Sequence, residues 1–194
     1  QKQRLSRQLA VQESIELLSK VGFSSPGKIS RMYPHQLSGG MAQRVLLAIG
    51  LSGIPEIVIA DEPTRGLDSE NQLRYLELVR RLYNHCALLI ITHQIEVAAT
   101  CDRLMVMYGG EIVEEGYTKQ ILHQPQHPYT KSLLKSHPDR GMIPIPGRPF
   151  SFTEQIEGCR FSPRCAEEGD ICHGLHPVLR RAQNSKIRCH HAGC

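Results

Sequence analysis

No apolar run in this 194-residue chain approaches the roughly 18 to 20 residues needed to cross a bilayer, and no cationic stretch precedes a short apolar one at its start. Neither a membrane span nor a secretory leader is expected, and the chain reads as soluble and cytosolic. Long basic runs are missing too. The formal net charge of +4 is spread along the chain, which offers little to nucleic acid or an anionic lipid surface. Internal repeats and low-complexity tracts are absent, so the body of the molecule is neither a solenoid nor a linker. With 40% hydrophobic and 22% charged residues the composition is that of a globular protein with room for one full core. The chain opens on Gln1 inside an amphipathic helical pattern with Val11, Ile15 and Leu18 on one face, and reads as a piece of a longer protein.

Two segments carry the chemistry. In Leu37-Ser38-Gly39-Gly40-Met41 two glycines after a serine let backbone N–H groups approach an anion, and the helix starting there directs its positive end to the same place. In Ile57-Val58-Ile59-Ala60, followed by Asp61-Glu62-Pro63, an apolar run expected to be a buried strand delivers two carboxylates at its C-terminal end. Ligands bind beyond such strand ends, so the acids stand where a metal ion and an attacking water belong. Together the segments indicate nucleotide chemistry.

Around them, residues 1–37 read as helical, with Gly22 and Ser24-Ser25-Pro26-Gly27 closing the first helix. A helix from Met41 to about Ser52 ends at Gly53 and Pro55. Strand Ile57 to Ala60, a helix near Gln72 to Tyr83 and strand Ala87 to Ile91 form a βαβ unit with a parallel sheet. Thr92-His93 follows the second strand, so His93 emerges beside the acids. A short helix near Ile95 to Ala99 follows, and Gly109-Gly110 between Leu104–Tyr108 and Glu111–Glu114 signals a hairpin. The α/β core is expected to end near Leu122. Eight of the twelve prolines and five of the seven cysteines fall after residue 124, which marks a loop-rich extension needing disulfides or a metal to hold one conformation.

Leu37 to Met41, Ile57 to Pro63, Gly66-Leu67-Asp68 and Thr92-His93 resemble, in order and spacing, the signature, Walker B, D-loop and switch-histidine motifs of ABC-type ATPases. The resemblance implies an α/β fold with a P-loop NTPase-like parallel sheet core, a helical subdomain and a Cys-rich C-terminal extension. It divides the chain into residues 1–40 (helical subdomain ending in the signature motif), 41–123 (C-terminal part of the ATPase core) and 124–194 (extension). Ser38, Gly39 and Gly40 would contact the γ-phosphate of an ATP held by the opposite subunit. Asp61 would hold Mg²⁺ through water, Glu62 would act as general base on the attacking water, His93 would contact the γ-phosphate, and Asp68 would bridge the dimer. Met41 stands where the family usually has Gln, and Arg65-Gly66 where it has Ser-Ala. The motifs thus serve two different active sites. No Gly-x-x-x-x-Gly-Lys-Ser/Thr loop occurs in these residues, so the chain by itself is expected neither to bind ATP tightly nor to hydrolyse it.

In the extension, Cys159, Cys165, Cys172 and Cys189 follow the spacing C-x5-C-x6-C-x16-C. Two disulfides, disfavoured in a reducing cytosol, a zinc site and an iron–sulfur cluster are the alternatives this leaves, with His190, His191 and Cys194 as substitute ligands. Cys86 and Cys101 read as small core residues. His127-Pro128-Tyr129-Thr130-Lys131-Ser132-Leu133-Leu134, Ile145-Pro146-Gly147 and Gly158 to Cys165 resemble the C-terminal extension of dipeptide, oligopeptide and nickel importer ATPases. Some members of that branch carry a [4Fe–4S] cluster there, which makes the four cysteines its implied ligands. The resemblance further implies a peripheral subunit on the cytoplasmic face of the inner or plasma membrane, a second ATPase subunit, identical or different, and two transmembrane permease subunits, with an extracytoplasmic binding protein acting indirectly. The competing reading is a soluble ABC ATPase acting on nucleic acid or ribosomes. The tail lacks the interleaved aromatics and dense cationic stripe for that, so no nucleic-acid partner is expected. A third reading makes the tail a redox or regulatory sensor.

Overall fold

The computed structural model describes residues 6–53, 55–153, 156–182 and 185–191. The chain forms two compact units, residues 1–93 and 94–194. Among the described residues no helix is long and apolar enough to cross a membrane.

The first unit opens with α1 (Arg7–Lys20), where the Ser6 side chain caps the start by accepting from Leu9 N at 3.3 Å. Only the C-terminal half of α1 contributes to the core: Leu18 and the following Val21 are buried, with Leu17 partly so, whereas Val11 is 50% exposed. The apolar face expected from Val11 through Leu18 is therefore half used, because α1 meets its neighbour only near its end. After α2 (Pro26–Ile29) comes α3 (Gly39–Leu51), then β1 (Ile57–Asp61), α4 (Ser69–Leu82) and β2 (Ala87–Ile91). Gly50 lets α3 lie close to Tyr83, whose hydroxyl donates to Leu47 O at 3.0 Å and would collide with a Cβ at that position. Leu47, Ala48, Tyr75, Val79 and Tyr83 form the core with Leu18 and Val21; burying Val79 alone contributes about 2 kcal/mol.

Strands β1 and β2 pair in parallel, Ile57 opposite Ala87 through Asp61 opposite Ile91, as the two apolar runs indicate. Their burial differs from the expectation. Val58 and Leu88 pack on the core, but Ile57 and Ile59 are 66% and 65% exposed, and Leu89 and Ile91 also face outward. Side chains alternate across a sheet and the helical core covers only one face of this pair, so every second aliphatic stays uncovered.

In the second unit, α5 (Ile95–Ala98) precedes the hairpin of β3 (Arg103–Tyr108) and β4 (Glu111–Tyr117). Its turn residues Gly109 and Gly110 sit at φ +57° and +82°, the left-handed pair that a two-residue hairpin turn requires. Phe150 and Arg160 lie over this turn, and the Arg160 guanidinium donates to the Gly109 carbonyl. Helices α6 (Thr118–His123), α7 (Pro128–Lys135) and α8 (Ile171–Gly174) follow, and then two strands absent from the sequence reading, β5 (Arg180–Ala182) and β6 (Ser185–Ile187). They extend the hairpin into an antiparallel sheet of order β3-β4-β6-β5. Tyr108, Val113 and Phe161 make the core, Tyr108 and Phe161 meeting edge-on with centroids 5.1 Å apart. Buried Glu114 holds the segment leading into α7 by accepting from Gln126 N and His127 N at 2.8 and 3.1 Å. The His127 ring accepts from Tyr129 N and meets Arg188 O at 3.1 Å, so its proton sits on Nε2.

Candidate functional site

Strand β1 leaves its regular path at Glu62, where φ is +45°. A glutamate in left-handed backbone is costly and persists only where surrounding bonds hold it. Here Glu62 N donates to Ile91 O at 2.9 Å, and Arg65 N to Glu62 O at 3.1 Å. The turn brings the carboxylate onto the end of β2. Oε1 accepts from His93 N at 3.1 Å and lies 2.7 Å from His93 Nδ1. Oε2 is buried and, among the described residues, has no hydrogen-bond partner. A carboxylate only accepts, so with Glu62 ionised the imidazole proton must be on Nδ1, which leaves Nε2 on a ring whose side chain is 75% exposed. One oxygen of Glu62 is thus occupied in holding His93, and the other keeps its acceptor capacity.

Asp61 is exposed beside this pair, at the last rung of the β1–β2 ladder. Ser38 is exposed at the start of α3, where its Oγ accepts from Met41 N at 3.4 Å. A Cβ added at Gly39 would meet nothing within 4 Å, and one at Gly40 would touch only Leu67 Cδ2, at 3.7 Å. Asp68 caps α4: Oδ1 accepts from Asn71 N at 2.9 Å and Oδ2 from Asn71 Nδ2 at 2.7 Å. The Asn71 backbone N–H chiefly, then its amide, holds the Asp68 carboxyl below its ordinary range. Glu62 and His93 therefore touch, whereas Ser38 and Asp68 each cap a separate helix.

Gln43 was not singled out in the sequence. Its Nε2 donates to Arg65 O at 3.0 Å, tying α3 to the loop between Glu62 and Asp68. Nothing in the pattern marks it, since its partner is a backbone carbonyl 22 residues away. Gly22-x4-Gly27-Lys28 repeats the glycine and lysine spacing of a phosphate loop, but Ile29 replaces the hydroxyl residue and the segment joins α1 to α2 instead of leaving a strand.

Cys159, Cys165, Cys172 and Cys189 all lie in the second unit as free thiols. Cys172 and Cys189 are buried, and Cys172 Sγ lies 3.5 Å from His191 Nε2. Burial first, and then the nearby charges of Cys189 and Cys159, push the Cys165 thiol up to about 11; burial also raises Cys159, with Cys172 and Cys189 adding to it. Opposing this, backbone N–H groups of Phe161 and Ser162 favour the Cys159 thiolate, and that of Glu167 the Cys165 thiolate. Such amide donors suit sulfur that carries negative charge. The sulfurs do not close on a common point: among the described residues no three His, Cys, Asp or Glu side chains gather as a metal site would. Cys194 lies outside the described residues.

Residues 2–65 match the family model described as ABC transporter, and residues 113–172 that described as the C-terminal region of oligopeptide/dipeptide transporters. The chain is 39% identical to the dipeptide transport ATP-binding protein DppD of Haemophilus influenzae over 91% of this chain and 56% of that protein. It is 38% identical to DppD of Escherichia coli over 93% and 58%, and 38% identical to the oligopeptide transport ATP-binding protein AppD of Bacillus subtilis over 95% and 59%. The chain spans a little over half the length of these curated relatives. Among solved structures, the dimeric post-hydrolysis ATP-binding cassette MJ0796 bound to ADP and Pi superposes with a TM-score of 0.53 at 28% identity, over 61% of this chain and 51% of that one. One model thus matches the region of the glycine-rich turn and acidic strand, another matches the extension, and relatives align across nearly the whole chain, so the chain is similar along its length to the ABC transporter ATP-binding proteins of the dipeptide and oligopeptide branch.

Proposed function

We propose that this chain serves as the ATP-hydrolysing subunit that powers import of peptides, or of a peptide-like or nickel cargo, by an ABC transporter. The observation that carries the reading is the divided carboxylate of Glu62, with Oε1 held by His93 and Oε2 buried without a partner among the described residues. A general base needs a fixed orientation, which His93 gives Glu62, and an unpaired acceptor, which Oε2 provides once the packing over it opens to admit water. Asp61, exposed at the adjoining strand end, would hold Mg²⁺ through water, and the ion when bound neutralises charge on the phosphates. His93 directs its outer nitrogen to the γ-phosphate. Ser38, with the N–H groups of Gly39 and Gly40, faces the nucleotide of a second ATPase subunit, and Asp68 lies at that interface. On this reading residues 1–40, 41–123 and 124–194 are the helical subdomain, the core segment and the extension. The protein works at the cytoplasmic face of the membrane with two permease subunits, and an extracytoplasmic binding protein delivers cargo. The relatives named above are transport proteins, which favours this role over one on nucleic acid or ribosomes.

The four cysteines of the extension are proposed to hold a [4Fe–4S] cluster, with zinc as the alternative. The match of residues 113–172 to the C-terminal region of oligopeptide/dipeptide transporters supports it, and the sulfurs would have to close on a common point when the cluster binds. Iron and sulfide analysis after anaerobic purification should return about four of each per chain; one equivalent of zinc without iron would eliminate the cluster.

The ATPase reading is tested with Glu62→Gln in the full-length protein. Glutamine keeps an acceptor for His93 but replaces Oε2 with a donor, so ATP-driven dimer closure should survive while turnover falls at least about 100-fold. Steady-state hydrolysis near the wild-type rate would remove Glu62 as the base.

A further inference from the structure

On the proposed reading Ser38 and Glu62 serve different nucleotides although one chain carries both. One side chain links their two segments: the Gln43 amide, on α3, donates to Arg65 O at 3.0 Å. Arg65 in turn donates its N–H to the carbonyl of Glu62. One turn of backbone therefore carries the Gln43 bond at one side and the carboxylate-bearing residue at the other. The orientation of the Gln43 amide is dictated by its partner, since a carbonyl accepts only from the NH₂ end. This choice leaves Gln43 Oε1 buried with no partner among the described residues, which costs stability.

We infer that Gln43 is a positioning residue that couples the Ser38 end of α3, engaged with one nucleotide, to the backbone that aims Glu62 at the other. Movement of α3 when Ser38 meets its phosphate passes through the Gln43–Arg65 bond to the Glu62–Arg65 turn, and thus sets the direction of Oε2. Gln43 touches neither the nucleotide nor the water. The inference rests on the proposed ATPase reading of this site.

The test is steady-state ATP hydrolysis by the full-length protein with its partners. Gln43→Leu fills similar space without a donor; kcat should fall about tenfold, KM for ATP should stay within about twofold, and the Hill coefficient should approach 1. Gln43→Lys restores a donor to Arg65 O and should hold kcat within about threefold of wild type. Gln43→Glu places a carboxylate against that carbonyl and should behave like the leucine variant. If Gln43→Leu does not accumulate as folded protein, the Lys and Glu variants decide by themselves, because neither adds apolar surface. Equal rates in the Lys and Glu variants, or a loss confined to KM, would overturn the coupling. A wild-type protein without hydrolysis would instead refute the ATPase reading itself, before Gln43 is tested.

Discussion

At Gly39 the requirements of folding and of phosphate contact separate cleanly. Nothing lies within 4 Å of the position a Cβ would take there, and alanine is the better helix former by up to about 1 kcal/mol. Gly39→Ala should therefore leave the thermal midpoint of the full-length protein unchanged or slightly raised. If Ser38 and its neighbours receive a phosphate, the same change should weaken ATP-driven dimer closure at least about fivefold, measured by light scattering in the Glu62→Gln background. Loss of stability together with closure would mean that the glycine serves the fold alone. Glu62 shows the opposite balance. Its backbone is left-handed, so Glu62→Gly should relieve strain and raise stability by about 0.5–1 kcal/mol while abolishing turnover. A destabilised Glu62→Gly variant would show that the bonds to His93 outweigh that strain.

Strand β1 was legible from its aliphatic run, and β2 from a second one at the right distance; the hairpin followed from adjacent glycines between apolar segments. Which side of each strand is covered was not legible, because Ile57-Val58-Ile59-Ala60 is apolar at every position and carries no alternation. The structure makes the distinction testable. Val58→Ala should cost about 1–2 kcal/mol in denaturant unfolding and Ile59→Ala less than about 0.5, since Val58 packs on the core and Ile59 does not. Equal costs would contradict the uncovered face. Strands β5 and β6 were hidden for another reason: three residues each, with Arg180, Arg181 and Lys186 among them, give no periodic signal. In β4, Glu114 and Glu115 are neighbours of the same type, and nothing in the sequence says that Glu114 is the buried one. Around that buried acid, α7 depends on a neutral His127. Burial above all lowers its imidazole from 6.5 to about 4, with the Glu167 charge and the Arg188 carbonyl opposing and Lys131 adding. Between those values the unfolded chain binds the extra proton and the folded one does not, so stability falls as pH drops from about 6.5 to 4, by roughly 3 kcal/mol in all. His127→Asn can still cap Tyr129 N but does not titrate in this range. Its unfolding midpoint should vary less between pH 7 and pH 4.5 than that of the wild type; parallel pH profiles would relieve His127 of the role.

For the molecule as a whole, two expectations concern the 194 residues handled alone. Isothermal titration with Mg-ATP should give binding weaker than about 1 mM, since the sequence holds no complete phosphate loop; micromolar affinity would mean that another segment cradles the phosphates. The exposed row Ile57, Ile59, Leu89 and Ile91 should bind an apolar dye such as ANS, and Ile59→Thr should reduce that signal. The four motifs could be picked out because each needs particular residue types at fixed spacing. The Gln43 link was not, because one of its two ends is a main-chain atom that every residue possesses. The hairpin tip at Gly109-Gly110 has a practical bearing of its own. Exposed corners between strands are ordinarily where an epitope can be grafted, a fluorophore attached or a protease admitted. At this corner Gly110 is exposed, but Phe150 and Arg160 pack on Gly109, so anything inserted there would have to displace them, and a handle on the second unit is better placed on the open stretch at Met142 and Ile143.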